Sequence, residues 1–133
     1  VPGHECRHND RVWHGYPYLG LGPAACSFDG KDRFANPSSL DGWLEGLPAE
    51  CDRLPARARA AEILAIGLRT VRGWSAAEFA EATGFRIRDA AGGVLPQLTE
   101  QGLIHWSGTE VRPTSRGLLF ADTIAEALLC EPP

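Results

Sequence analysis

The sequence predicts an α+β, mainly α fold whose C-terminal domain is winged-helix-like and carries a short β-hairpin. Three observations point there. From residue 53 onward, apolar residues recur at helical spacing between recognisable caps. Two short β-prone runs, Leu103–Trp106 and Thr109–Arg112, flank a Ser107-Gly108 turn. The resulting order is helix, capped helix, turn, helix, hairpin, helix, the outline of a winged helix-turn-helix.

The elements follow in order. Residues 1–37 contain four prolines and three of the four histidines, and show no helical periodicity. Within them Tyr18–Gly22 alternates weakly and reads as a short strand before a turn. Ser38–Leu47 reads as a short helix, capped by Ser38 or Ser39, with Leu40, Trp43, Leu44 and Leu47 at i, i+3, i+4 and i+7. Leu54-Pro55 places a proline in a first helical turn, where its missing N–H is no loss. The helix runs to about Arg69 with Ala61, Leu64, Ala65 and Leu68 inward, and Arg72-Gly73 closes the segment. Ser75-Ala76-Ala77-Glu78 is a capping box, and Gly84 stops the helix it opens. A third helix is expected over Ile87–Gln101, interrupted by Gly92-Gly93 and Pro96. After the hairpin, Thr114 caps a last helix with Ala121, Ile124, Ala125 and Leu128 on one face.

Composition narrows the function classes. The chain has 133 residues and a formal net charge of −4. That balance argues against nucleic acid or an anionic membrane as partner. The expected recognition helix has Arg86 and Arg88 and then turns apolar, and the wing carries Arg112 beside Glu110. Base reading needs more donors than these. No apolar run approaches the roughly 20 residues of a membrane span, and no signal peptide opens the chain. A soluble, cytoplasmic protein is expected. The chain has no methionine, even at position 1, so residue 1 is expected to be an internal cut. Cys6, Cys26, Cys51 and Cys130 lack C-x-x-C spacing and are expected to be free thiols.

The N-terminal stretch carries the candidate chemistry. His4, Cys6 and His8 are potential metal ligands if the segment is extended, with His14 as a fourth. The alternative is a loop packed against another part of a larger protein. His105 and Trp106 read as packing residues of the hairpin, and Arg69 as a helix-surface or salt-bridge arginine.

The motifs, taken in order, resemble the C-terminal part of the oxygen-independent coproporphyrinogen III oxidase family. These are radical S-adenosylmethionine (SAM) proteins, and the family includes a haem-chaperone-like branch. Pro2-Gly3-His4-Glu5-Cys6-Arg7-His8-Asn9 with Trp13 resembles P-G-x-E-C-x-H-N-x-x-Y-W. Tyr18–Ser27 resembles Y-x-G-x-G-x-G-A-H-S, and Arg33 with Asn36 fits an R-x-x-N pair. Glu62–Arg69 resembles E-x-L-M-L-G-L-R. Gln101–Ile104 and Thr114–Gly117 resemble E-G-L-L and L-T-x-x-G. Val12 stands where the chaperone-like branch has tyrosine, Cys26 where the family has histidine, and Ala24 where it has glycine.

The resemblance implies that residues 1–37 are the C-terminal edge of a radical SAM barrel, its last strand and loop region. Residues 38–133 would then be the helical C-terminal domain covering the barrel mouth. It implies a C-x-x-x-C-x-x-C loop holding a [4Fe–4S] cluster and SAM, which is absent from this chain and expected upstream. This chain alone is therefore expected to be non-catalytic, with its own N-terminal barrel as partner. It places Gly20 and Gly22 near SAM, and makes His8, Asn9 and Trp13 candidate contacts for haem or porphyrin. The implied activity of the intact protein is oxidative decarboxylation of coproporphyrinogen III to protoporphyrinogen IX. The alternatives are haem delivery by a chaperone and a stand-alone interaction module.

Overall fold

The computed structural model describes residues 6–130. Among these residues are eight helices and six short strands, which form two three-stranded antiparallel sheets. The described chain divides into two compact units. One holds the residues up to Gly15 together with those from Ala56 onward; the other is Tyr16–Pro55.

The larger unit begins with α1 (Arg7–Trp13) and resumes with α3 (Ala56–Gly67), directly after Pro55. The α3 helix is its centre and packs against α1, α4 (Ala76–Thr83), α5 (Ile87–Ala91) and α8 (Ala121–Leu129). The expected inward stripe is buried: Ala61, Leu64, Ala65 and Leu68 all lie in the core. Each leucine so buried contributes about 1.5–3 kcal/mol. Two-residue β4 (Trp74–Ser75) pairs with β6 (Glu110–Pro113), which pairs with β5 (Ile104–Trp106), in the order β4-β6-β5. The hairpin thus forms as expected and gains a third strand.

The caps are those predicted. The Ser75 hydroxyl accepts from the Glu78 N–H at 3.2 Å and donates to the Glu78 carboxylate at 3.0 Å. Gly84 ends α4. Thr114 accepts from the Gly117 N–H at 2.8 Å, opening α7 (Ser115–Leu119).

Three elements differ from expectation. The helix expected over Ile87–Gln101 is two helices, because Gly92 has φ 62° and ψ −141°, a backbone state that suits only glycine. Restarting at Val94, α6 (Val94–Glu100) has Pro96 in its first turn, where a missing N–H is tolerated. The last helix is also two, α7 and α8, broken at Phe120 with φ −112° and ψ 33°. Ile124 and Leu128 are buried from α8, while Ala121 and Ala125 are half-buried. Finally, Arg7–Trp13 is helical, where the sequence shows no helical periodicity. None of the α1 helix residues is buried, so there is no apolar stripe to read.

The smaller unit contains β1 (Cys26–Phe28), β2 (Arg33–Ala35) and β3 (Glu50–Asp52), in the order β1-β2-β3, with α2 (Leu40–Leu44). The strand expected at Tyr18–Gly22 reduces to one bridge, Tyr18 to Phe28. Ser39 caps α2 by accepting from the Gly42 N–H at 3.1 Å. The helix is five residues long, and Leu40, Trp43, Leu44 and Leu47 are all exposed. Gly42, tight against Ser39, Leu47 and Pro37, is its buried residue.

Candidate functional site

The α1 helix forms one wall of an open groove of about 650 Å³. Cys6, Arg7, Asn9, Asp10, Arg11 and Trp13 line that wall, and Thr70, Val71 and Arg72 line the other. Asn9 and Trp13 are i, i+4 neighbours, which is why both reach it. Trp13 is half-buried and Asn9 is exposed. His8 does not line the groove. It is exposed on α1 and has no hydrogen-bond partner among the described residues. The structure therefore puts His8, Asn9 and Trp13 on one short helix but only two of them in the groove. Asp10 in the first turn and Arg11 in the last suit the helix dipole.

An ion network joins the two walls of the groove. Arg72 reaches Asp10 at 3.4 Å and also pairs with Glu78. Burial pushes the Glu78 carboxyl up, but the Ser75 hydroxyl and N–H and the Arg72 guanidinium outweigh it and hold it below its ordinary value. His14 lies deepest. It is 2% exposed, its Nδ1 is 2.8 Å from the Asp10 carbonyl oxygen, and its Nε2 is 3.1 Å from the Gly73 carbonyl oxygen. In the sequence alone, His14 stands out only as a possible fourth metal ligand. Its i, i+4 spacing from Asp10 was the available signal.

The Gly20–Gly22 loop belongs to the smaller unit. The Gly20 N–H donates to the Ser27 hydroxyl at 3.0 Å. The Asn36 amide donates to the Gly22 carbonyl at 2.9 Å and the Gly20 carbonyl at 3.4 Å. A Cβ at Gly20 would lie 2.1 Å from the Cys26 carbonyl oxygen, so this face is filled by the chain itself. At Gly22, φ is 104° and the space around a Cβ is open. Ser27 and Asn36 are the side chains that hold the loop, and the R-x-x-N motif was the signal for Asn36.

The remaining candidates separate. His4 lies outside the described residues. Among the described residues no three His, Cys, Asp or Glu side chains gather to hold a metal. Cys6, Cys26, Cys51 and Cys130 are free thiols. Arg69 pairs with Asp122. Trp106 is half-buried, but His105 is exposed rather than packed, because it sits on the outward register of β5 between two inward residues. Arg86 makes a two-pronged pair with Asp89 at 2.7 and 3.0 Å, and Arg112 pairs with Glu110 at 2.9 Å. The Arg86 hydrogen bonds hold the Asp89 carboxyl below its ordinary value. No described helix is long and apolar enough to cross a membrane.

Residues 54–120 match the family model of the HemN C-terminal domain, half of the chain. The chain belongs to this family. Among curated proteins, it is 42% identical to the heme chaperone HemW of Synechocystis over 54% of this chain and 19% of that one. It is 30% identical to the heme chaperone HemW of Bacillus subtilis, over 97% of this chain and 36% of the relative. For the Mycobacterium tuberculosis heme chaperone HemW the figures are 34% identity, 96% and 32%. The chain thus spans about a third or less of the relatives it matches. Among solved structures, coproporphyrinogen III oxidase (HemN) from Escherichia coli, titled a radical SAM enzyme, superposes with a TM-score of 0.64. The match covers 97% of this chain and 35% of that one at 16% identity, so it speaks for the fold.

Proposed function

We propose that this chain is the C-terminal part of a haem chaperone built on the radical SAM scaffold of the HemN family. The observation that carries this reading is the pair of alignments to heme chaperones that run over 96–97% of the chain at 30–34% identity. They take in α1 and therefore His8, Asn9 and Trp13. The oxidase is a likeness of fold at 16% identity. The imidazole of His8, exposed and without a partner among the described residues, supports a role as axial haem ligand, and Trp13 offers a ring to a macrocycle at the groove.

In this reading residues 1–37 are the C-terminal edge of the barrel and residues 38–133 form the domain covering its mouth. The order α3-β4-α4-α5/α6-β5-β6, with the three strands in one sheet, supports a winged-helix-like description of the latter. The paired state of Arg86 and Arg112 supports a module that does not read nucleic acid. A [4Fe–4S] cluster and SAM belong to the parent protein. The described residues do not fit a cluster, since no thiolates converge, so its ligands lie elsewhere. Gly22, with open space beside it, fits a backbone that a bound SAM or porphyrin approaches; Gly20 serves that loop's shape.

Haem titration of the intact protein tests this. A Soret band that shifts on binding and is lost in His8→Ala is expected. Conversion of coproporphyrinogen III to protoporphyrinogen IX, given SAM and a reductant, would overturn the chaperone reading in favour of the oxidase. The intact protein also discriminates the stand-alone module, which would contain no C-x-x-x-C-x-x-C loop upstream.

A further inference from the structure

His14 is a buried titratable group that the proposed haem contacts do not use. Its surroundings are unusually uniform in character. Nδ1 faces the Asp10 carbonyl oxygen at 2.8 Å and the Asp10 carboxylate at 3.3 Å. Nε2 faces the Gly73 carbonyl oxygen at 3.1 Å. The ring lies 4.6 Å from the Trp74 ring, centroid to centroid. A carbonyl oxygen has no proton to give, so each of these contacts is a hydrogen bond only if that ring nitrogen carries a hydrogen. A neutral imidazole has one such hydrogen and the imidazolium has two. The carboxylate also favours a cation. Charged groups nearby among the described residues include Asp10 on α1, Arg72 in the turn before β4, and Glu78 on α4, which shares Arg72 with Asp10. On α3, Ile63 lies beneath Gly15, and Arg59 pairs with Glu62.

We propose that His14 is a positioning residue: as an imidazolium it clasps the C-terminal end of α1 to Gly73 and so holds the α1 wall of the groove. The need for such a clasp follows from α1 itself. None of its residues is buried, and its N-cap Cys6 provides no side-chain cap. A seven-residue helix with no fully buried residue does not persist on propensity alone. Besides its packing on α3 and the Arg72–Asp10 pair, it is attached at its end, where His14 provides hydrogen bonds to both sides of the junction. The consequence for haem rests on the proposed function, because α1 carries His8, Asn9 and Trp13.

Two measurements on the full 133-residue chain test this. Proton–nitrogen correlation spectra of the His14 ring should show both nitrogens protonated; a bare nitrogen in a neutral tautomer would overturn the imidazolium. Hydrogen exchange of α1 amides should be roughly tenfold or more faster in His14→Phe, which keeps a ring against Trp74 but loses both donors. Amides of α6 and α8 should be unchanged. His14→Gln, with a single donor group, should fall between, and it serves if the phenylalanine variant does not fold. Unchanged α1 exchange in a folded variant would overturn the clasp. If the clasp holds, haem titration of the intact protein carrying His14→Phe should show weaker binding. Absence of haem binding in the unsubstituted protein would sink the proposed function and leave the ring spectra and exchange rates to decide the clasp.

Discussion

At the scale of single residues, Ala24 has φ 57°, in the left-handed region where an L side chain is strained. Its N–H donates to the Pro37 carbonyl at 2.9 Å, so the conformation is held by the fold around it. The family pattern has glycine at this position. Ala24→Gly should therefore stabilise the chain by about 0.5–1 kcal/mol, the relief of strain exceeding the added freedom of the unfolded glycine. Denaturant midpoints of the two proteins measure it; a lower midpoint for the glycine variant would refute the strain. Gly67 shows the opposite constraint. A Cβ there would sit 2.1 Å from Trp74 Nε1, so the Nε1 edge of the indole fits against α3 only because position 67 has no side chain. That indole N–H is buried without an acceptor among the described residues, and the ring meets His14 at a tilt and Phe79 edge-on. Gly67→Ala should push Trp74 out of this cluster and cost about 2–4 kcal/mol, despite the better helix propensity of alanine. A shifted midpoint with an altered near-ultraviolet tryptophan signal is the expected result.

At the scale of elements, α4 depends on its capping box. Glu78 is held below its ordinary value of 4.5. A carboxyl with a lowered folded value adds stability above the unfolded value, and that stability is lost as pH falls through the folded one. Glu78→Gln should thus be less stable than the natural chain at neutral pH, by about 0.5–1 kcal/mol for a half-exposed group. The gap should close as the pH drops from 4.5 downward. Paired denaturation curves at pH 7 and below pH 4 measure this, and a gap that persists in acid would exclude the carboxylate as its source. The box was legible because Ser75 and Glu78 act through sequence-local geometry. The stripe of α3 was legible because burial on one face leaves a periodic trace. The break at Phe120 and the two-residue β4 were not, since each is set by what lies across from it rather than by its own residues. The α1 helix was hidden for the same reason: its anchor, the contact of His14 with Gly73, spans 59 positions in sequence.

At the scale of the whole molecule, the site was half legible. The His8-Asn9-Trp13 motif and the Gly20–Gly22 loop could be marked from the sequence. That His8 would face away from the groove lined by Asn9 and Trp13 could not, because it depends on this stretch being a helix. The division into units has a consequence for stability. Tyr16–Pro55 is a short segment with small strands, one buried large apolar side chain in Phe28, and exposed Leu40, Trp43, Leu44 and Leu47. The larger unit buries Leu64, Leu68, Phe79, Ile87, Leu95, Leu98, Ile104, Val111 and Ile124 almost completely. Since apolar burial supplies about 25 cal/mol per Å², the two units cannot be equally stable. Native-state hydrogen exchange under rising denaturant should release β1–β3 amides first, at a sub-global opening free energy. Amides of α3, α6 and the β5–β6 hairpin should follow only on global unfolding. A single coincident opening for both sets would mean that Tyr16–Pro55 draws its stability from the rest of the chain, and would place Leu40 to Leu47 within one cooperative structure rather than on a separable unit.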